Sequence, residues 1–293
     1  MFKAKLSGAI RRLGIAGLML GLMIPGQAFA FREGINLPEG VTRTSQQIYD
    51  LHMLMFWIVT IIGILVFGAM IFSIIMHRKS RGQQPANFHH NTTVEVVWTV
   101  IPFLILVGMA VPASQALVDI EDYRDYQMSI QVTASQWQWH YDYRDEEGLE
   151  FYSRLDPMSN AARQLRDRRG VAPMEVDNYL LNVDNPVVVP VDTEILLLLT
   201  ADDVIHAWWV PELGGKKDAI PGFVNELSFN IQEPGTYRGQ CAELCGRGHG
   251  FMPIVVEAVE QDEYEAWVEE QTEEQTAAGG DSQDQVTALD VAR

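Results

Sequence analysis

The chain has 293 residues, 47% of them hydrophobic, and a formal net charge of −18. This length allows a sizeable domain together with a separate membrane part. Residues 119–293 hold 35 acidic against 12 basic residues, a net of −23, whereas residues 1–118 have a net of +5. So acidic a domain argues against nucleic acid as a partner and favours a cationic one.

The first thirty residues are typical of a secretory signal peptide. Four basic residues precede an apolar stretch, and small residues at 28 and 30 follow the helix-breaking pair Pro25 and Gly26. The apolar stretch is too short to span a bilayer core of about 30 Å. We therefore assign residues 1–30 to a signal peptide, with a short first transmembrane helix as the alternative.

Two longer uncharged apolar stretches predict a transmembrane helical hairpin within residues 31–118. Its spans lie at about 51–76 and 96–118, and the loop between them is 77–93. This loop carries three basic residues and no acidic one, so the positive-inside rule places it in the cytoplasm. The mature N-terminus and everything after residue 118 then lie in the periplasm, and the protein belongs to a bacterial inner membrane.

After a charged linker at 119–126, the pattern changes to short β-rich runs, most of them separated by Gly, Pro, Asp or Asn. This pattern predicts an all-β sandwich or barrel within a domain at 119–271. The runs lie at 128–134, 137–144, 185–192, 194–201, 204–210, 225–231, 235–241 and 252–260. We also expect an insertion with some helix at 159–173, a closing helix at 262–271 and a disordered acidic tail at 272–293.

Both cysteines lie in one segment, CAELCGRGHGFM at 241–252, which also holds a histidine and a methionine. A disulfide is the ordinary expectation in an oxidising compartment, but it leaves His249 and Met252 unexplained. Zinc would use cysteine and histidine at a similar spacing, but a thioether is an unusual zinc ligand. Thiolate, imidazole and a weak axial methionine on a loop between strands is a pattern of copper proteins.

The second cysteine bears on the number of ions. A mononuclear blue-copper site would leave one thiolate over, whereas two thiolates bridging two copper ions use both. Each ion then needs an imidazole, and the loop supplies only His249. His52 lies in the first span and three more histidines lie in the cytoplasmic loop, which leaves His140 and His206. Because His140 lies in an aromatic run typical of packing, we favour His206.

Together these segments resemble subunit II of the haem-copper cytochrome c oxidases. The loop fits the family's copper pattern C-x-E-x-C-x3-H-x2-M, and DVIHAWWVPELGGKKDAIPG, at 203–222, fits its upstream histidine segment. The resemblance covers about residues 40–270. It implies a mixed membrane and all-β fold, in which a cupredoxin-like Greek-key β-sandwich follows the two-helix hairpin.

The resemblance also implies a binuclear copper centre, held by two bridging thiolates, two terminal imidazoles and two weaker ligands. These ligands are Cys241, Cys245, His206, His249, Met252 and the backbone carbonyl of Glu243. The Glu243 side chain would reach a magnesium ion shared with subunit I. Phe223 stands where the family often has arginine, which affects contacts near the magnesium but no copper ligand.

Further residues match positions of known role in the family. Trp137 matches the tryptophan at which the electron from cytochrome c enters. The family's docking acids correspond to Asp142, Asp184 and Asp203. Glu95 matches an acid near the mouth of a proton channel of subunit I, on the cytoplasmic side. The stretch 92–95 is alternatively a capping box for the second span, as 44–47 is for the first.

The implied function is that of a cytochrome c oxidase subunit. It would accept single electrons from basic cytochrome c and pass them to the haem and copper centre of subunit I, coupled to proton translocation, with subunit III as a further partner. This chain would not reduce oxygen alone. The alternatives are a metal-free structural subunit of quinol-oxidase type, which would lack the copper ligands, and a membrane-bound copper chaperone, for which methionine-rich or C-x-x-C motifs would be expected.

Overall fold

The computed structural model describes residues 36–84, 89–164 and 172–273. The predicted signal peptide lies outside these residues, and so does the predicted tail from residue 274 onward. The chain divides into two compact units, and the contacts below belong to the second, Glu39–Arg293.

Two long helices, α1 (Arg43–Met76) and α2 (Thr92–Ile120), precede the β domain. Both are long and apolar enough to cross a membrane, and their most apolar stretches have no buried residue. A helix of 34 residues is about 51 Å long, so α1 extends well beyond a hydrocarbon core of about 30 Å. The helices pack against each other, as expected for the predicted hairpin.

Both helices begin earlier than the predicted capping boxes. The cap of α1 is Thr42, whose Oγ1 accepts the Ser45 N–H at 3.0 Å, while Ser45 Oγ accepts the Thr42 N–H at 3.0 Å. The cap of α2 is Asn91, whose Oδ1 accepts the Val94 N–H at 3.2 Å. The predicted boxes at 44–47 and 92–95 are therefore wrong, because a suitable cap stands upstream of each.

Within the described residues, ten strands form three sheets. The strands are β1 (Met128–Ser135), β2 (Gln138–Tyr143), β3 (Glu150–Ser153), β4 (Val187–Pro190), β5 (Glu194–Ala201), β6 (His206–Trp209), β7 (Lys216–Ala219), β8 (Asn225–Asn230), β9 (Gly235–Gln240) and β10 (Pro253–Val259). Their order is β3-β2-β1-β5-β8 in the first sheet, β4-β10-β9 in the second and β6-β7 in the third. The pairs β1–β5 and β4–β10 are parallel, and the other pairs are antiparallel.

The first two sheets enclose one hydrophobic core. Alternate residues of β1, such as Ile130 and Val132, are fully buried, and Ile254 and Val256 of β10 are buried in the same core. This alternation is what a half-buried strand requires. Two membrane-type helices followed by a β-sandwich confirm the predicted fold class.

Two short elements complete the β domain. A helix, α3 (Pro157–Arg163), overlaps the start of the predicted insertion, of which residues 165–171 lie outside the described residues. Its cap Asp156 accepts the Ser159 N–H at 2.8 Å. A C-terminal helix covers 261–273, and its Trp267 ring lies 5.5 Å from that of Tyr143 in β2. Aromatic packing therefore closes one side of the sandwich.

The β domain is joined to the helices by contacts at the start of α1 and the end of α2. Thr42 Oγ1 donates to the Leu213 carbonyl at 3.0 Å. Lys217 Nζ, on β7, donates to Glu121 Oε1 at 3.1 Å, directly after α2. The β domain is thus held both to the start of α1 and to the end of α2.

β9 and β6 approach each other closely, although they belong to different sheets. A Cβ atom on Gly239 would collide with the Trp209 backbone carbonyl. Two residues beyond β9, the Ala242 N–H donates to the Ala207 carbonyl at 3.0 Å. The absence of a side chain at Gly239 thus lets the end of β9 lie against the end of β6.

We expect Gly239→Ala to destabilise the domain by about 1–3 kcal/mol, because the added methyl group must separate two backbones. This corresponds to a melting temperature lower by about 2–10 °C. Circular dichroism of the chain in detergent measures it. The control is Gly235→Ala on the same strand, where the new Cβ atom would meet the Tyr237 side-chain oxygen at 3.2 Å. Equal melting temperatures for the two variants would contradict the packing argument.

Candidate metal centre

Soft donor atoms from two distant segments meet at one end of the sandwich. His206 opens β6, while Cys241, Cys245, His249 and Met252 lie between β9 and β10. One imidazole nitrogen of His206 and the two cysteine sulfurs all lie within 4.8 Å of one another. The structure therefore brings together the five side chains that sequence analysis selected as metal ligands.

The donors form two sets, one around each sulfur. Cys241 Sγ lies 3.9 Å from His206 Nδ1 and 3.4 Å from the Glu243 carbonyl oxygen. Cys245 Sγ lies 3.6 Å from His249 Nδ1 and 3.7 Å from Met252 Sδ. Each set therefore has a thiol, an imidazole and a weaker donor.

The two sulfurs are 3.8 Å apart, well beyond the S–S bond length of about 2.05 Å. Both thiols are free and buried. This spacing leaves the sulfurs available to metal ions. Thiolate, imidazole and thioether together are the soft donors that copper prefers, so the donor set fits a copper site.

Burial and charge act differently on the two thiols. Burial opposes ionisation of Cys241, but its hydrogen bond with His206 and neighbouring backbone contacts outweigh burial and lower its pKa. Burial raises the pKa of Cys245, and the negative charge of Cys241 raises it further. Two neighbouring thiolates therefore need a compensating cation, which a metal ion supplies.

His206 is held in place by Asp203. Its Nε2 lies 2.9 Å from Asp203 Oδ1, and its side chain is fully buried. Burial would lower the pKa of His206, but contacts with Cys241 and Asp203 outweigh burial and raise it. A proton on Nε2, bonded to the carboxylate, leaves Nδ1 free to bind a metal.

The carboxylate of Asp203 is itself fixed by the backbone. Its Oδ2 accepts the Gln136 N–H at 2.7 Å, and its Oδ1 accepts the Val204 N–H at 2.6 Å. Burial would raise the pKa of Asp203, but the hydrogen bond with His206 and these backbone bonds outweigh burial and lower it. Sequence analysis missed this positioning role, because no pattern distinguishes this acid from an exposed one.

Trp137 connects the loop to the surface. Its indole Nε1 donates to the Cys245 carbonyl at 3.2 Å, and Gln136 Nε2 donates to the same oxygen at 2.8 Å. The half-buried indole lies directly on Gly248, where a Cβ atom would collide with the ring. The proposed entry residue therefore contacts the backbone of a candidate ligand.

The other two predicted docking acids also have partners within the chain. Asp142 Oδ2 accepts from Arg144 Nη1 at 2.8 Å. Asp184 Oδ1 accepts the backbone N–H groups of Arg154 at 2.7 Å and Asn185 at 2.9 Å. Both carboxylates therefore contribute to local structure.

His140 and the predicted proton-entry residue Glu95 lie outside the donor cluster. His140 packs against Tyr152 with ring centroids 4.6 Å apart, and its Nε2 lies 3.4 Å from Glu150. Glu95 lies in the first turn of α2, at the end of the helix remote from the β domain. Glu243 contributes its carbonyl to the cluster while its side chain is exposed.

Comparisons with known proteins agree along most of the chain. Residues 128–259 match the family model described as cytochrome C oxidase subunit II, periplasmic domain, and residues 30–116 match the one described as its transmembrane domain. A "probable cytochrome c oxidase subunit 2" of Rickettsia prowazekii is 40% identical over 223 residues, covering 76% of this chain and 67% of the relative.

A second sequence relative and one solved structure also match the chain. Cytochrome c oxidase subunit 2 of Cyanidium caldarium is 37% identical over 241 residues, covering 80% of this chain and 89% of the relative. A crystal structure of the periplasmic domain of subunit II of cytochrome oxidase from Bradyrhizobium japonicum is 37% identical, with a TM-score of 0.45, and covers 52% of this chain and 99% of that chain.

Replacing Asp203 with asparagine keeps the shape of the side chain and removes its charge. We expect copper to bind about 10–100-fold more weakly, because the residue that orients His206 loses its negative charge. Competition with a colorimetric copper chelator measures the affinity. Asp202→Asn is the matched control, since it removes a neighbouring carboxylate that does not contact His206. Equal affinities for the two variants would refute the positioning role.

Proposed function

Because the chain belongs to the cytochrome c oxidase subunit II family, we propose that it carries single electrons from cytochrome c to the haem and copper centre of subunit I. The chain is a two-span membrane subunit of an oxidoreductase complex. We also propose that electron transfer to subunit I is coupled to proton translocation.

One observation carries this proposal: six donor atoms form two sets around sulfurs 3.8 Å apart. We propose that these six donors would hold two copper ions. The ligands are Cys241, Cys245, His206, His249, Met252 and the Glu243 carbonyl. Such a pair, when bound, supplies a one-electron redox centre that shares its charge over two ions. A mononuclear site would leave one set of donors unused.

Burial and hydrogen bonds position the donors, and a site that is positioned in advance suits electron transfer because little has to move. The Met252 side chain is buried, and its carbonyl accepts the Cys241 N–H at 3.3 Å and the Trp139 indole N–H at 3.4 Å. Asp203 holds His206 through Nε2, the ring nitrogen that does not face Cys241. Donors held by strands and by contacts of this kind keep a precise geometry.

We propose that the electron enters at Trp137, which lies between the surface and the Cys245 carbonyl. The net charge of −23 in residues 119–293 would steer basic cytochrome c toward the domain. Asp142, Asp184 and Asp203 remain proposed docking acids, although each also has a partner within the chain.

The proposed exit lies around Glu243, whose exposed carboxylate would bind a magnesium ion shared with subunit I. Its neighbour Leu244 is 78% exposed, and Val204 and Ile205, which precede His206, are exposed as well. Exposed apolar side chains next to a site favour a protein partner over open solvent. Subunit I is the proposed partner there.

The membrane arrangement is also proposed. The basic loop between the spans would lie in the cytoplasm of a bacterium and the β domain in the periplasm. Glu95, at the cytoplasmic start of α2, would then lie near proton entry to subunit I. Residues 1–30 would be removed as a signal peptide, and subunit III would complete the complex.

Two copper ions per chain are the expected result for the purified, copper-loaded protein. Its paramagnetic resonance spectrum should show hyperfine coupling to two equivalent copper nuclei, since one unpaired electron is shared. Cys245→Ser and His249→Ala should abolish this pattern, whereas His140→Ala should retain it, because His140 lies outside the cluster. One copper per chain, or coupling to a single nucleus, would contradict the binuclear site.

Gly248→Ala tests electron entry at Trp137 without removing a donor. The added methyl group displaces the indole, so cytochrome c oxidation by the complex should slow by about tenfold or more, with copper content unchanged. Gly250→Ala is the control, because a Cβ atom there meets nothing within 4 Å. Stopped-flow oxidation of reduced cytochrome c compares them, and equal rates would exclude Trp137 as the entry residue.

A further inference from the structure

An open surface pocket of about 600 Å³, called the basic pocket below, lies beside Trp137. Its described lining includes three arginines, Arg154, Arg163 and Arg247, and one acidic residue, Asp184. Arg154 follows β3, Arg163 ends α3 and Arg247 lies in the loop of the candidate metal centre. Three guanidinium groups from separate parts of the chain therefore meet at one opening.

Two of these arginines are oriented by neutral side chains. Arg154 Nε donates to the Gln138 side-chain oxygen at 2.6 Å, and Arg163 Nε donates to that of Asn160 at 2.9 Å. Each bond uses the Nε–H group and leaves the charge of the guanidinium uncompensated. The Nη groups of both arginines therefore stay available to a ligand.

Two aromatic rings of the basic pocket also lie against guanidinium groups. The Arg163 group lies 4.2 Å from the centroid of the Phe251 ring, and the Arg247 group lies 5.6 Å from that of Trp137. A ring positions a cation without cancelling its charge. Among the described residues, none of the three arginines forms an ion pair with a carboxylate.

The charge of the basic pocket is opposite in sign to that of the domain around it. Asp184 is the acid of the described lining, and its Oδ1 accepts two backbone N–H groups, at 2.7 and 2.9 Å. Three positive charges and one negative charge leave an excess of two positive charges. Residues 119–293 have a net charge of −23. The excess in the pocket equals the charge of one phosphate group that has lost two protons.

We propose that the basic pocket binds a doubly charged phosphate group through Arg154, Arg163 and Arg247. A planar guanidinium presents paired N–H donors that match two phosphate oxygens, and arginine is favoured wherever phosphate is recognised in this way. Pockets of this volume hold small organic molecules, so a diphosphate also has room. Charge and donor geometry therefore both fit a phosphate ligand.

The phosphate would come from solution and not from a lipid headgroup. β1 runs from the linker after α2 to the turn that holds Trp137. Its eight residues span about 25 Å, so the basic pocket lies at the end of the sandwich remote from the linker. A headgroup at the membrane surface would not reach it, whereas free inorganic phosphate would.

A bound phosphate would change how the electron donor meets the surface beside Trp137. This consequence rests on the proposed function, in which basic cytochrome c docks on acidic side chains. In the absence of phosphate, the two excess positive charges would repel the donor at the point of electron entry. Bound phosphate would neutralise them, and Asp184 would then face the donor without a positive surrounding. Donor docking would thus depend on phosphate.

Calorimetric titration of inorganic phosphate into the purified, copper-loaded chain in detergent tests the site without the donor. In slightly alkaline buffer of constant ionic strength, phosphate should bind the wild-type chain. Replacing the three arginines together by glutamine should weaken binding by about tenfold or more. Arg124→Gln is the control and should leave the affinity unchanged, because Arg124 is exposed in the linker and paired with Asp122 at 2.6 Å. Equal affinities for the three proteins would overturn the proposal.

Two further variants separate charge from structure, with the copper resonance spectrum as the check on folding. Lysine at all three positions retains the charges and should bind phosphate more tightly than the glutamine variant does, which a merely structural role would not produce. Arg247→Gln alone changes one exposed loop side chain and should weaken binding by about two- to fivefold. An unchanged affinity in this folded single variant counts against the site even where the triple variant does not fold.

Oxidation of reduced cytochrome c by the purified complex tests the consequence for docking. When phosphate replaces chloride at constant ionic strength, KM of the wild-type complex should fall by about two- to fivefold relative to that of the glutamine variant. Both enzymes meet the same donor, so phosphate bound by the donor itself cancels in this ratio. Parallel changes in KM would exclude the effect on docking. Failure of the wild-type complex to oxidise cytochrome c at all would overturn the proposed function, while the titration would still decide the phosphate site.

Discussion

Close backbone packing between β9 and β6 brings two distant parts of the chain into one site. Gly239 leaves no side chain between β9 and the Trp209 carbonyl, and the Ala242–Ala207 hydrogen bond holds the next residues together. Cys241 follows β9 and His206 begins β6, so this contact determines the distance between a thiol and an imidazole 35 positions apart. The other donors then lie within a single loop.

Around this contact, the same short segment forms hydrogen bonds with the metal-binding residues and contains the proposed electron-entry residue. Gln136 donates its backbone N–H to Asp203, which orients His206, and its side-chain N–H to the Cys245 carbonyl. Trp137, the next residue, donates to the same carbonyl. The short turn between β1 and β2 therefore contacts both donor sets, and the surface on which a partner docks is built on the frame that holds the metal.

The sequence predicted the parts of the molecule that depend on donor chemistry and apolar length. Both spans follow from long uncharged stretches, and five candidate ligands follow from sulfur and imidazole at close spacing, with topology favouring His206. The strands β3 and β7 were missed because their residues, EFYS and KKDA, lack a strand pattern and gain order only from their neighbours β2 and β6. The two helix starts were misplaced because Thr42 and Asn91 are as good N-caps as Thr44 and Thr92, which the sequence analysis had chosen.

Contacts between distant residues were beyond sequence reasoning. The role of Asp203 depends on the direction of one imidazole, and the basic pocket depends on arginines at 154, 163 and 247 that only the fold brings together.

The division of donors between segments also has a consequence for protein engineering. Residues 241–252 carry five of the six donor atoms, so this loop grafted onto another β-sandwich would still lack His206. A faithful transplant therefore has to include β6, Asp203 and the glycine that lets β9 approach them.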